Sequence, residues 1–184
     1  NYTISNGAFG SVIQSHYPKP DQKDVPRNTM ILVTFKVPVE PESVIDFDNK
    51  DFCDPSLSAE VMARCGTLKP SSFRVFKKDD GSGKPVETDD DNLVSGYAMI
   101  TADYQTIIFY PYGTSKTSHL GTSFEHVDYV VILKNGIKDA DGEQMFKNYP
   151  DYRWQFTTST VIDLTSPQLE SVEPMKIAYP VAGD

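Results

Sequence analysis

Long apolar runs are missing from this sequence. The longest, such as residues 129–133 (YVVIL), have strand length and fall far short of the ~20 residues a membrane-spanning helix needs. Sustained helical stripes are missing too, because 13 prolines and 11 glycines punctuate the chain. Cations are scarce: 17 Lys and Arg stand against 26 Asp and Glu, for a net charge of −9. Nucleic-acid affinity rests on clustered cations that release counterions, so that class of partner is set aside, and an anionic membrane surface is disfavoured by the same repulsion. The three histidines, His16, His119 and His126, do not stand at metal-ligand spacing, and no GxSxG elbow occurs. Only two cysteines are present, with no CxxC and no companion histidine, which is too few ligands for zinc. With no convergent catalytic set, the expectation is a protein that is not an enzyme.

What the chain does contain is period-two alternation. Residues 29–35 place Ile31, Val33 and Phe35 on one face; residues 72–76 pair Phe73 with Val75 and put Arg74 opposite. Ile107 and Phe109 align within 106–110, Tyr129, Val131 and Leu133 within 129–133, and Tyr152, Trp154 and Phe156 within 152–157. β-Branched and aromatic residues in this rhythm, bounded by turn formers, read as half-buried strands. Weaker strands are expected at 11–16 and 93–100. About seven strands with little helix predict an all-β, antiparallel sandwich.

Two stretches look like excursions from it. Residues 46–70 hold Cys53 and Cys65 with eleven residues between them. In an exported protein a Cys53–Cys65 disulfide is the better reading, and closing so small a loop contributes about 2–3 kcal/mol; in a cytosolic protein both would be free thiols. The same stretch contains the one short helix expected, residues 55–64, with Asp54 as its cap and Pro55 in its first turn. Residues 77–92 (KKDDGSGKPVETDDDN) offer almost nothing to bury and read as a solvated loop, whose run 89–92 is a weaker cation candidate.

Five ordered segments carry a resemblance. Residues 17–29 (YPKPDQKDVPRNT), 31–44 (ILVTFKVPVEPESV), 103–111 (DYQTIIFYP), 129–142 (YVVILKNGIKDADG) and 154–158 (WQFTT) resemble the bacterial immunoglobulin-like domain first described in S-layer proteins, the SbsA or Big_5 type. The resemblance implies an immunoglobulin-like sandwich, a spacer role in a secreted or surface protein, and no catalytic residues. Residues 46–70 and 113–126 depart from the family pattern, so any activity peculiar to this chain is expected there.

The domain reading is an N-terminal extension over 1–9, the sandwich over 10–159, and a linker with the first strand of a following repeat over 160–184. The last part rests on residues 169–174 (LESVEP), which echo residues 13–18 (IQSHYP) in register. The chain begins without Met or a basic-then-apolar leader, and it is expected to be part of a longer, exported protein.

Two binding candidates remain. Asp139, Asp141 and Glu143 alternate carboxylates as a calcium loop begins, but Gly142 is fourth where an EF-hand needs its glycine sixth; turn geometry is the simpler role. Tyr110 and Tyr112 flank Pro111 at a strand end and could stack on a glycan, whereas Trp154 aligns with the core. No cofactor other than calcium is in view. The function expected is a non-catalytic spacer acting through neighbouring immunoglobulin-like domains of the same chain. The alternatives are an adhesion module for glycans or other surface proteins, and an accessory domain of an extracellular hydrolase. Location is expected to be extracellular or on the bacterial surface, without insertion into the membrane.

Overall fold

The computed structural model describes residues 12–78, 92–111, 119–147 and 151–164. The 1–9 extension, most of the 77–92 loop and the echo at 169–174 lie outside them.

Each alternating segment forms a strand. In chain order these are β1 (Ile13–Tyr17), β3 (Ile31–Phe35), β6 (Phe73–Lys77), β7 (Gly96–Ile100), β8 (Thr106–Pro111), β9 (Asp128–Leu133) and β10 (Tyr152–Thr158). Three more strands join them: β2 (Gln22–Val25), β4 (Ile45–Asp46) and β5 (Cys65–Leu68). They pack as two sheets, ordered β1-β3-β8-β7-β5-β4 and β2-β10-β9-β6. Removing β4 and β5 leaves the ABED and CFG order of an immunoglobulin sandwich, with the first strand split between sheets as β1 and β2.

Two particulars differ from expectation. The sandwich is not wholly antiparallel, since β2 runs parallel to β10. It does so because the chain crosses from β1 to the other sheet before pairing again. The expected helix over 55–64 is a single turn, α1 (Ala59–Ala63), and its cap is Ser58, whose hydroxyl accepts from the Val61 amide. Asp54 is otherwise engaged. It accepts the Ser56 amide at 2.8 Å, which holds its carboxyl below the usual range.

The core follows from the alternation. Ile31, Val33, Phe35, Ala98, Ile107 and Phe109 of one sheet face Phe73, Val75, Tyr129, Val131, Leu133, Trp154 and Phe156 of the other, all buried. Removing this apolar surface from water is the main stabilising term, at roughly 25 cal/mol per Å². Tyr129 adds a specific fold signature at the start of β9: its hydroxyl accepts the Gly121 amide at 2.7 Å, the corner that immunoglobulin sandwiches build between their fifth and sixth strands. A second cluster sits on the outward face of β6 and β9, where Phe76, Val130 and Ile132 are buried with Leu93 against them.

Strand directions define two poles. β3 and β9 start where β2, β8 and β10 end, so the β2–β3 turn, residues 119–127 and residues 159–164 gather at one pole. Hydrogen bonds tie them there: Arg27 donates its amide to Val161 O, and its carbonyl receives the Leu120 amide. At the other pole Val12 O accepts from Lys36, and Tyr104 O accepts from Val39. The described chain therefore enters at one end of the sandwich and leaves at the opposite end. No helix among the described residues is long and apolar enough to cross a membrane.

Candidate functional site

The cysteine insert is part of the sheet. β4 pairs with β5 through Ile45–Leu68 and Asp46–Thr67, and β5 pairs with β7 through Cys65–Met99 and Gly66–Ala98. Gly66 is required at the crossing, because a Cβ there would collide with the Asp46 carbonyl. Cys53 and Cys65 form a disulfide with their Cα atoms 6.1 Å apart, and both are buried. Disulfides persist in oxidising compartments, so the pair points to an extracellular or envelope location. Just ahead of the stapled loop, Lys50 donates its ammonium to the carbonyls of Met62 and Cys65, tying the incoming strand to the far side of the loop. The insert is thus a braced hairpin that widens one sheet to six strands.

Tyr110 lies on the outward face of β8 and is half-buried, which pushes its phenol above the usual pKa. Its ring stacks on Tyr97 of β7, with centroids 4.5 Å apart and planes within 12°. Register explains the pair, since Tyr97 and Tyr110 are directly opposed across the strands. The two rings cover each other's faces instead of lying side by side as a platform. Tyr112, the expected companion, lies outside the described residues. Nothing in the spacing of single segments reveals Tyr97; only the β7–β8 register does. Trp154 is buried as expected.

The acidic turn is held by its own backbone. The Asp139 carboxylate accepts the amides of Asp141 at 3.0 Å and Glu143 at 2.9 Å, and Gly142 takes φ of 81°, a left-handed conformation favoured by glycine. Glu143 pairs with Lys147 at 2.9 Å. Among the described residues no group of three carboxylate, histidine or cysteine side chains is gathered as a metal site needs. The geometry of Asp139, Asp141 and Glu143 is that of a turn.

One cluster has no counterpart in the motif reading. His16 of β1 bridges to β10 in the other sheet. Its Nδ1 lies 2.8 Å from Pro18 O and its Nε2 2.8 Å from the Tyr152 hydroxyl. A carbonyl only accepts, so the neutral ring carries its proton on Nδ1 and receives one from Tyr152. The imidazole lies against the Trp154 ring with centroids 4.0 Å apart. Burial lowers the His16 pKa, opposed by the bond to Pro18. His126 sits at the opposite pole, bonded to Thr158 O at 2.9 Å and 3.8 Å from Asp24. The three histidines are not brought together.

No family model matches this chain, and no curated protein matches it. Among solved structures it is similar to the N-terminal part of the bacterial S-layer protein SbsC, at 16% identity over 79% of this chain and 23% of that one, with a TM-score of 0.41. It is similar to domains 1–6 of surface layer protein SbsC at 16% identity and TM-score 0.40, covering 79% of this chain and 13% of that one. It is also similar to PcoC, a copper resistance protein from Escherichia coli, at 12% identity and TM-score 0.43, covering 80% and 98% of the two chains. The chain thus spans only a small part of either S-layer structure.

Proposed function

We propose that this chain is a non-catalytic spacer module of the SbsA or Big_5 kind within a larger bacterial surface or secreted protein, working through contacts with neighbouring modules. The observation that carries the reading is the direction of the described sandwich, with Val12 at one pole and Asp163 at the other. The outgoing direction is held by Asn28, whose side chain donates to Asp163 O at 2.7 Å and accepts the Asp163 amide at 3.0 Å. A module built this way transmits position along its strands. The buried disulfide suits an exported protein, and the five ordered family-like segments support the family assignment. The glycan alternative is weakened by Tyr110, whose exposed ring face is spent on Tyr97.

Small-angle scattering of the parent protein, with and without this module, tests the reading. A spacer shortens the largest dimension on deletion by at least the ~23 Å that seven residues of β10 rise. An unchanged dimension contradicts it.

A further inference from the structure

The cluster of His16, Tyr152 and Trp154 holds chemistry that a spacer does not call on. Tyr152 and Trp154 stand two residues apart on β10 and share the face that packs against the core, with ring centroids 5.6 Å apart. The His16 imidazole touches both, 4.0 Å from the indole and 5.6 Å from the phenol ring. Two polar details give the cluster a direction. The Trp154 Nε1 is buried and has no hydrogen-bond partner among the described residues, so a proton leaving it has no base to reach. The Tyr152 hydroxyl does have one: it donates to His16 Nε2 at 2.8 Å, because Nδ1 carries the ring proton toward Pro18 O.

We infer that these three residues form a proton-coupled relay for a one-electron hole, which starts on Trp154 and comes to rest on Tyr152. The step balances within the cluster. An external one-electron oxidant, such as an oxygen-derived radical, removes an electron from Trp154 and leaves an indole radical cation. Tyr152 then gives one electron to that cation and its phenolic proton to His16 Nε2. The products are neutral Trp154, a Tyr152 phenoxyl radical and a His16 imidazolium whose Nδ1–H still donates to Pro18 O. Electron and proton leave one phenol for two different neighbours, and the packing holds both in contact with it at once. Trp154 does not become the sink, because an indole that keeps its proton stays the stronger oxidant. A phenol that hands its proton to a positioned base is the easier to oxidise. Trp154 is 4% exposed and Tyr152 half-buried, so the hole moves outward, toward a residue that reductants in solution can reach. The relay is independent of the spacer reading, and it spares the only tryptophan in the chain.

Transient absorption of the 184-residue chain tests the relay. Laser photoionisation at the red edge of the indole band, where phenols do not absorb, removes an electron from Trp154, and hexaamminecobalt(III) in solution takes up the ejected electron. The indole radical band should decay as a tyrosyl band of equal yield grows, and deuterium oxide should slow both. Tyr152→Phe should lose that tyrosyl band and lengthen the life of the indole radical. His16→Gln keeps a hydrogen-bond acceptor beside the phenol but no base, and should slow the transfer by ~10²-fold. A tyrosyl band that persists in Tyr152→Phe, or a rate unaffected by His16→Gln, overturns the inference. So does a wild-type rate unaffected by deuterium oxide, a result that needs no variant to fold.

Discussion

His16 is the residue whose chemistry the surrounding fold alters most legibly. Its ring is set between a strand of each sheet, bonded to Pro18 O and Tyr152 and laid against Trp154. Burial favours the neutral imidazole, so the folded pKa lies below the unfolded one. The sign follows: the stabilisation is complete above the unfolded value of about 6.5 and is lost as pH falls from there through the folded value. Denaturant unfolding between pH 7.5 and 5 should show this decline in the wild type and lack it in His16→Gln. Trp154 is the only tryptophan, so its fluorescence should titrate with the same midpoint, and a midpoint at or above 6.5 contradicts the burial argument. No motif marks this residue in the sequence. Its environment is made by β10, more than a hundred residues away in the chain, and only tertiary packing brings them together. Asp139 shows the reverse case: turn chemistry is local, and its carboxylate accepts the amides of Asp141 and Glu143 just downstream.

Among the elements, legibility followed apolar alternation. β3, β6, β8, β9 and β10 each carry enough alternating apolar residues to declare a face, and all form within a residue or two of the expected ends. β2, β4 and β5 carry no such pattern. In β2 only Val25 is buried, and the strand exists because β10 offers it a ladder. β4 is two residues long, and β5 contains Gly66, which by composition alone speaks against a strand but here permits the close approach to Asp46. The hairpin they form depends on the Cys53–Cys65 link. A 12-residue separation gives a loop-closure contribution of about 3 kcal/mol. Cys53→Ser/Cys65→Ser should lower the unfolding free energy by about that amount in urea, and a loss under ~1 kcal/mol would show that the hairpin holds without its staple.

For the whole molecule, the strand order and the Tyr129 corner make an immunoglobulin sandwich, and its directional asymmetry is what the proposed spacer role draws on. The chain is handed in at the pole of Val12 and Tyr104 and handed out at the pole of Arg27 and Phe124. Connectivity of this kind was not readable in advance. The split of the first strand between the two sheets brings β2 beside β10, and the Arg27–Asn28 turn lies next to Val161 and Asp163. A spacer depends on length, direction and the pole faces that meet its neighbours, and this separates it from the adhesion and hydrolase-accessory alternatives. The most direct measurement is therefore a replacement in the parent protein: residues 12–164 exchanged for an unrelated immunoglobulin-like sandwich of equal length whose ends also lie at opposite poles and which carries this chain's pole loops, with the assembly and activity of the parent as readout. Retained function is the result expected for a spacer, whereas loss of function despite correct folding of the replacement would contradict it.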